Sequence, residues 1–166
     1  MQKISDEQLY QSTELLAELL IKKGLTLATA ESCTGGWLAK CCTDLAGSSA
    51  WFEGGIVSYS NDIKQNILGV PSATLEEFGA VSKQTAIEMA KGALTKTQAN
   101  LSVAITGIAG PTGGSKNKPV GTVCFAWNID STTITTEQQH FHGDRESIRR
   151  QAVMNALRGL IKNARD

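Results

Sequence analysis

The sequence predicts a three-layer α/β/α sandwich built on a mixed parallel and antiparallel sheet. Helical and strand patterns alternate over the first two thirds of the chain, which is typical of parallel strands covered by helices on both faces. The last third predicts two neighbouring strands and a final helix, and this strand pair adds antiparallel pairing. A length of 166 residues suits one domain with its own core, so we expect residues 1–166 to form a single domain.

The chain begins with a helix, a strand and a second helix. Leucines recur at helical spacing over residues 6–22, and Gly24 follows where a helix would end. Residues 25–30 predict a short buried strand, and residues 34–40 predict the opening of the next helix. Ser32 lies in the turn between them.

The middle of the chain repeats this order. Residues 54–60 predict a strand, after which Asn61 and Asp62 are expected to cap a short helix. Ser82 is expected to cap a longer helix, and residues 101–105 predict another buried strand.

The remaining third begins with a loop. Residues 106–119 are too rich in Gly and Pro for regular structure. Residues 120–127 and 132–141 predict two strands around a polar turn at residues 128–131. Residues 143–144 are expected to start the final helix.

Charge and composition exclude several kinds of partner. The 16 Lys and Arg residues balance the 16 Asp and Glu residues, so no overall field attracts nucleic acid or an acidic membrane. The sequence predicts neither a secretory leader nor an apolar stretch of about 20 residues that would span a bilayer. We therefore expect a cytoplasmic protein with a small-molecule partner and with no nucleic acid or membrane partner.

The cysteines and histidines are spaced for neither a zinc site nor a disulfide framework. They are Cys33, Cys41, Cys42 and Cys124, with His140 and His142. We expect reduced and mostly buried thiols, no bound metal and no cofactor.

Three segments are candidates for the functional site. Residues 31–36, 59–64 and 106–115 each follow a predicted strand. In open α/β sheets, loops at strand ends are free to carry function, and helix N-termini present unpaired N–H groups there. We expect these segments to build one site.

Ser32 is a candidate nucleophile. The N–H groups of Cys33, Thr34 or Gly35 could point at an oxyanion that develops as Ser32 attacks. The other interpretation is that Ser32 caps the helix that follows. A His-based triad is disfavoured, because both histidines lie late in the chain on a predicted strand and no Gly-x-Ser-x-Gly elbow is present.

Lys64 is the better candidate for the base. It lies about one turn into the helix that follows the next strand, and partial burial would lower its pKa. Tyr59 is a candidate to relay the proton. The alternative interpretations are a solvated surface lysine and a tyrosine packed on the sheet.

Cys33 competes with Ser32 as a nucleophile, because a helix N-terminus lowers the pKa of a thiol. No base is evident for it, and free cysteines are among the residues most often buried. The sequence therefore favours a structural Cys33.

The glycine-rich loop at residues 106–115 lets the backbone approach a phosphate or carbonyl group closely. It is neither a Walker A loop nor a Gly-x-Gly-x-x-Gly motif, and its alternative is a long mobile surface loop. Arg145 could pair with a substrate phosphate, although Arg149 and Arg150 nearby equally favour a solvated basic helix face.

Five motifs, taken in order, resemble one family. They are Glu31-Ser32-Cys33-Thr34-Gly35-Gly36, Tyr59-Ser60-Asn61 with Lys64, Thr106-Gly107-Ile108-Ala109-Gly110-Pro111-x-Gly113-Gly114, Lys118-Pro119-Val120-Gly121-Thr122-Val123, and Phe141-x-Gly143-Asp144-Arg145. Together they closely resemble the CinA carboxy-terminal family and its nicotinamide-nucleotide amidohydrolases. The match covers nearly the whole chain, so it is more specific than any single motif.

The resemblance implies an enzyme that hydrolyses the carboxamide of nicotinamide mononucleotide to nicotinate mononucleotide and ammonia, recycling pyridine nucleotide toward NAD. It implies a nucleophilic Ser32 assisted by Lys64 and Tyr59, without a metal, and it implies self-association, most simply as a homodimer. Longer family members carry an amino-terminal domain that resembles a molybdopterin-binding fold. The activity of that domain is not carried over to this sequence.

The same resemblance predicts substrate contacts from all three segments. These residues are Glu31, Cys33, Thr34, Gly35, Thr106, Gly107, Ala109, Gly110, Gly113, Gly114 and Arg145. Among them, Thr106, the loop at 110–114 and Arg145 are expected to hold the ribose and the phosphate.

Two other functions stay open. A non-catalytic nucleotide-binding module would use Ser32 as a cap and Lys64 as a phosphate contact. An amidase acting on another small amide or a lactam would keep the serine chemistry and change the pocket.

Overall fold

The structure is a computed structural model that describes residues 4–165. In this range five strands form one sheet with helices packed against it. The strands are β1 (Leu27–Glu31), β2 (Phe52–Val57), β3 (Leu101–Gly107), β4 (Thr122–Ile129) and β5 (Thr133–His140). The helices are α1 (Asp6–Lys23), α2 (Trp37–Thr43), α3 (Asn61–Asn66), α4 (Ser72–Phe78), α5 (Lys83–Thr97) and α6 (Arg145–Arg165), with a 3₁₀ turn at Ser48–Ala50.

The sheet has the strand order β2-β1-β3-β4-β5. Strand β1 lies between β2 and β3 and runs parallel to both, so that Glu31 pairs with Val57 on one side and with Ile105 on the other. Strands β4 and β5 add antiparallel pairs. The predicted mixed sheet is confirmed, and the carboxyl ends of the three parallel strands meet at one edge.

Alternate residues of the central strands face two separate apolar clusters. Leu101, Val103 and Ile105 belong to a cluster with α1, α2 and α6, whereas Ala104 of the same strand belongs to a cluster with α5. Strand β1 is buried along its whole length, as expected for a strand covered on both faces. The three-layer sandwich is therefore confirmed.

Local capping sets several helix ends where the sequence predicts them. Helix α1 ends at Gly24, which has a left-handed φ of 65°. Helix α5 starts after Ser82, whose side chain accepts a hydrogen bond from the Thr85 N–H.

The prediction for the segment before α3 was wrong in two respects. Strand β2 ends before residues 58–60, which form the turn into the helix. Ser60, rather than Asn61 or Asp62, caps α3, because its Oγ accepts the N–H of Ile63 at 3.2 Å.

Helix α2 begins at Trp37, whereas the sequence pattern predicted that it begins at Thr34. Gly35 and Gly36 have φ values of 61° and 91°, which no right-handed helix accommodates. Residues 32–36 therefore form an irregular turn, and this turn carries Ser32.

Two further elements differ from the prediction. Strand β4 continues to Ile129, so the turn to β5 uses the left-handed Asp130 and Ser131 rather than residues 128–131. Helix α4 was not predicted, because it is short and none of its side chains is buried.

Within the described range, no helix has the length and apolarity that crossing a membrane requires.

Candidate active site

Ser32 directly follows β1 at the centre of the parallel part of the sheet. Its N–H donates to the carbonyl of Ile105 at 2.9 Å, which extends the pairing of β1 with β3 by one residue. Only 8% of Ser32 is exposed. The backbone of the candidate nucleophile is thus fixed by the sheet.

Lys64 reaches Ser32 from α3. Its Nζ lies 3.0 Å from the Ser32 Oγ and 2.7 Å from the carbonyl oxygen of Ser58. A longer contact of 3.4 Å joins the same Nζ to the backbone carbonyl of Tyr59. The structure therefore brings together the predicted nucleophile and the predicted base.

Helix α3 turns its lysine inward and its isoleucines outward. Lys64 is 1% exposed, whereas Ile63 and Ile67 on the same helix are both partly exposed. No acidic side chain within residues 4–165 forms a salt bridge with Lys64. Burial lowers the pKa of Lys64 below its ordinary value of 10.5, because desolvation disfavours the charged amine. The surface-lysine interpretation was wrong, and the arrangement is typical of a base at a functional site.

Glu31, rather than Ser32, caps helix α2. One oxygen of its buried carboxylate accepts from the N–H of Leu38 at 2.9 Å and from the hydroxyl of Thr34 at 2.7 Å. The other oxygen accepts from the N–H of Ala39 at 3.0 Å. The cap interpretation of Ser32 was therefore wrong, since a carboxylate already satisfies the start of the helix and leaves the serine hydroxyl free for Lys64.

Cys33 lies beside the nucleophile with a buried thiol. Desolvation raises the pKa of Cys33 to about 12, although the nearby Arg149 and Lys64 act in the opposite direction. A thiol with this pKa is protonated at neutral pH, and thiolate is the form that attacks. All four cysteines are buried and free. These properties support the structural interpretation of Cys33.

The turn after Ser32 leaves one of its N–H groups for a ligand. The Gly35 N–H donates to the Ser32 carbonyl at 3.0 Å, so it is committed to the turn itself. Thr34 is 0% exposed, which closes its N–H to a ligand, so the N–H of Cys33 remains of the three amides that the sequence offers for an oxyanion.

A cleft of ≈ 270 Å³ opens in front of Ser32 and Lys64. Its walls contain ten of the predicted site residues, namely Ser32, Cys33, Tyr59, Lys64, Thr106, Gly107, Ala109, Gly110, Gly113 and Arg145. The predicted contacts Glu31, Thr34, Gly35 and Gly114 do not line it. The turn after β1, the start of α3 and the glycine-rich loop thus meet at one site.

Tyr59 and Arg145 meet at the rim of this cleft. The Tyr59 side chain is largely exposed, and its phenol oxygen accepts from Nη2 of Arg145 at 3.1 Å. Arg145 also donates from Nη1 to the carbonyl of Gly110 at 2.6 Å. Within the described residues the phenol forms no hydrogen bond to Ser32 or Lys64, so the Tyr59 side chain lies at the rim of the cleft.

Thr106 stabilises a part of the cleft wall, at Ala80 and Val81, that the sequence did not predict. Its hydroxyl donates to the carbonyl of Ala80 at 2.7 Å, and Lys118 donates to the carbonyl of Phe78 at the same distance. These bonds fix the turn between α4 and α5, which adds Ala80 and Val81 to the lining. The missed helix α4 therefore matters for the site.

Three other residues that line the cleft were not predicted as site residues, namely Asn61, Ile108 and Thr112. Each lies inside one of the two segments, residues 59–64 and 106–115, that the sequence analysis predicted to contribute to the site. Their position in these segments was therefore the sequence feature that could have identified them. A larger groove of ≈ 570 Å³ lies along α6 and contains none of the predicted site residues.

Comparisons with known proteins find relatives that match nearly the whole chain. The family model described as CinA C-terminal domain matches residues 9–164. The chain is 50% identical over 157 residues to "Nicotinamide-nucleotide amidohydrolase PncC" of Escherichia coli strain K12, covering 95% of both chains. It is 48% identical over 147 residues to the protein of the same name from Pseudomonas putida, covering 89% of this chain and 91% of the relative.

A solved structure shows the same fold. The competence/damage inducible protein CihA from Agrobacterium tumefaciens superposes with a TM-score of 0.92 at 42% identity, covering 98% of each chain. With the family model matched over most of the sequence and half of the residues identical to a relative of the same length, this chain belongs to the CinA C-terminal domain family.

Proposed function

We propose that this chain hydrolyses the carboxamide of nicotinamide mononucleotide to nicotinate mononucleotide and ammonia, with Ser32 as the nucleophile and Lys64 as the base. The observation that carries the proposal is the 3.0 Å contact between the Ser32 Oγ and the buried Lys64 Nζ. The substrate is inferred from the names of the relatives that are 48–50% identical to this chain, all of which are matched over most of their length.

The first half of the reaction forms an ester on the serine. Neutral Lys64 takes the hydroxyl proton of Ser32 while Oγ bonds to the carboxamide carbon, and the carbonyl electron pair moves onto oxygen. The remaining turn amide, that of Cys33 in the wall of the cleft, is the proposed donor to that oxyanion. Protonated Lys64 then passes its proton to the carboxamide nitrogen, the C–N bond breaks, and ammonia leaves.

The second half releases the product. A water molecule attacks the ester carbon and gives its proton to Lys64, and the oxyanion forms again in the same place. Collapse of this intermediate breaks the bond to Oγ, which takes the proton back from Lys64. Nicotinate mononucleotide leaves, and the enzyme returns to its starting protonation state.

The rim of the cleft is suited to the phosphate and ribose. Arg145 is a planar guanidinium held at the rim by Gly110 and Tyr59, and such a group binds phosphate through paired N–H donors. The phenol of Tyr59 accepts from Arg145, so its own hydrogen can be donated to the substrate. The glycine-rich loop supplies backbone groups on the facing wall.

The proposal is tested by ammonia release from nicotinamide mononucleotide, with and without a chelator. We expect release by the wild type and by Cys33→Ala, no effect of the chelator, and no release by a folded Ser32→Ala. Tight binding of the nucleotide by the wild type without ammonia would identify a binding module instead. Release only from other small amides would keep the serine chemistry and replace the substrate.

We further propose that the protein acts in the cytoplasm as a homodimer that returns pyridine nucleotide toward NAD. Light scattering during gel filtration measures the mass in solution, and a mass of one chain of 17.7 kDa would contradict the dimer.

A further inference from the structure

The substrate of the proposed reaction brings a positive charge into the cleft. In nicotinamide mononucleotide the ribose is bonded to the ring nitrogen, which makes the ring a pyridinium cation. This nitrogen lies meta to the ring carbon that carries the carboxamide. The Ser32 Oγ that attacks the carboxamide lies 3.0 Å from the Lys64 Nζ. With reacting atoms about 3 Å apart, the pyridinium nitrogen comes to lie roughly 5–9 Å from that amine.

The cleft offers this cation no carboxylate. Among residues 4–165, the side chains that line it include the cations Lys64 and Arg145 but neither an aspartate nor a glutamate. Arg145 lies at the rim, where it is suited to the phosphate. The buried carboxylate of Glu31 does not line the cleft, and it caps α2. No negative side chain of the lining therefore offsets the charge of the ring.

The groups beside Lys64 on the turn after β1 and on α6 do not offset it either. Desolvation raises the pKa of the Cys33 thiol to about 12, so this neighbour is uncharged at neutral pH. Arg149 of α6 donates to the carbonyl of Cys33 and adds a positive charge to the turn.

The remaining walls are also without an anion. Tyr59, in the turn into α3, accepts from Arg145 through its phenol oxygen. Residues 79–82 and 106–115, which supply the other walls, contain no titratable side chain. A protonated Lys64 and a pyridinium ring would therefore face each other as like charges.

Like charges at this separation change the ionisation of the lysine. At the effective dielectric constant of protein sites, a unit charge roughly 5–9 Å away changes a pKa by about 1–2 units. The ring therefore binds the neutral form of Lys64 more tightly than the protonated form, and by linkage it lowers the pKa of Lys64 in the complex. Burial lowers the pKa of the same lysine in the free protein, so the two effects have the same direction.

We propose that the pyridinium charge of the bound substrate displaces the proton of Lys64 to solvent and so produces the neutral base that Ser32 needs. The inference rests on the proposed function, which places the carboxamide at Ser32. It restricts the substrate class, because a cationic pyridinium carboxamide forms its own base on binding. An amide on a neutral ring leaves a larger fraction of Lys64 protonated.

The test measures binding rather than rate, because a pyridinium ring also makes the carboxamide more electrophilic and changes the rate by itself. Ser32→Ala removes the nucleophile, so the ligands stay intact. The ligands are nicotinamide mononucleotide and its neutral carbon isostere, in which a benzamide ring replaces the nicotinamide ring. Both carry the same carboxamide, ribose and phosphate, so ionisation of the phosphate affects both equally. Calorimetry gives the Kd of each from about pH 5 to 10.5, a range that includes the ordinary pKa of lysine.

For nicotinamide mononucleotide we expect Kd to fall about 10- to 100-fold as pH rises through the pKa of Lys64, because deprotonation removes the repulsion. The Kd of the isostere should change less than about threefold over the same range, since its ring has no charge. The same pH dependence for both ligands would overturn the proposal.

Lys64→Met, added to Ser32→Ala, is the matched control. Methionine is a flexible apolar side chain that can fill the space of the lysine stem without a charge. We expect it to remove the pH dependence that is specific to nicotinamide mononucleotide. If that dependence persists, another group carries it and the proposal is overturned. If this variant does not fold, as circular dichroism would show, the comparison of the two ligands in Ser32→Ala carries the test.

Ammonia release by the wild type separates this proposal from the proposed function. Release from nicotinamide mononucleotide, together with equal pH dependence for the two ligands, would keep the hydrolase and overturn the displaced proton. A pH dependence specific to the pyridinium ligand without ammonia release would identify a binding module and would still support the effect of the ring on Lys64. If Ser32→Ala binds neither ligand and the wild type releases no ammonia, both proposals fail.

Discussion

Lys64 Nζ and Ser32 Oγ lie 3.0 Å apart although 32 residues separate them in the chain. The parallel pairing of β1 with β2 creates this contact, because it places the turn after β1 beside the turn into α3. Neither side chain has much access to water, since Lys64 and Ser32 are both buried. Water therefore solvates the charged amine poorly, which lowers the pKa of Lys64 and favours the neutral form that a base needs.

Replacing Lys64 by arginine should largely remove turnover, because it fixes a positive charge where the reaction needs a neutral amine. A guanidinium stays protonated at all accessible pH values, so it can no longer accept the serine proton. We expect kcat for ammonia release to fall about 100-fold or more. Lys91→Arg is the matched control, because Lys91 is exposed on α5 and pairs with Glu88 there. A Lys64→Arg enzyme within about threefold of wild type would show that Lys64 is not the base.

The rate should depend on the ionisation of Lys64. As pH rises through the pKa of this lysine, the amine loses its proton and becomes the active base, so kcat/KM should rise with pH and then level off. Because burial lowers that pKa, the midpoint should lie below 10.5. A profile of kcat/KM from pH 5 to 10.5 measures it. A rate that does not change over this range, or that is still rising tenfold per unit at the upper end, would contradict the assignment.

The sequence predicted the sandwich because its signals are local. Helical spacing, the Gly24 end and the Ser82 cap each depend on neighbouring residues, and all three are present in the structure. The boundaries near the site were less predictable. Ser60 competes with Asn61 and Asp62 for the same cap, and only the backbone angle of Ser60 decides between them.

The site required tertiary information. Nothing in the residues around Lys64 shows that its face of α3 is buried while Ile63 and Ile67 are exposed, which reverses the usual pattern. Arg145 and Arg149 are four residues apart and so lie on the same face of α6, a spacing that the sequence does contain. Arg150 forms ion pairs with Asp6 and Glu146, which the sequence analysis did not predict.

Arg145 should recognise the phosphate of the substrate. Its guanidinium is held at the cleft rim by the Gly110 carbonyl and the Tyr59 phenol. For Arg145→Gln we expect KM for nicotinamide mononucleotide to rise about tenfold or more, because a charged pair with phosphate is lost. KM for nicotinamide riboside, which lacks the phosphate, should change less than about threefold. The exposed Arg158 on the same helix provides the control Arg158→Gln. An equal increase in KM for both substrates would place the phosphate elsewhere.

Gly55 should be required for the close packing of α2 against the strands that carry the site. A methyl group on Gly55 would lie 2.7 Å from the Cβ of Ala39 and 2.8 Å from the Oγ1 of Thr29. Ala39 is in α2, and its N–H is bonded to Glu31, so a shift of this helix would move the turn after β1. We expect Gly55→Ala to lower the free energy of unfolding by about 1–3 kcal/mol, as overpacking does, and to lower kcat with it.

Gly54 provides a matched control on the same strand. A methyl group there would have no heavy atom within 4 Å, and Gly54 does not have a positive φ. Gly54→Ala should therefore leave kcat unchanged and be neutral or stabilising by up to about 1 kcal/mol, because alanine restricts the unfolded chain. Urea denaturation of both variants gives the comparison. Equal stability would mean that α2 can move away from the sheet without cost, and the turn that carries Ser32 would then not depend on this packing.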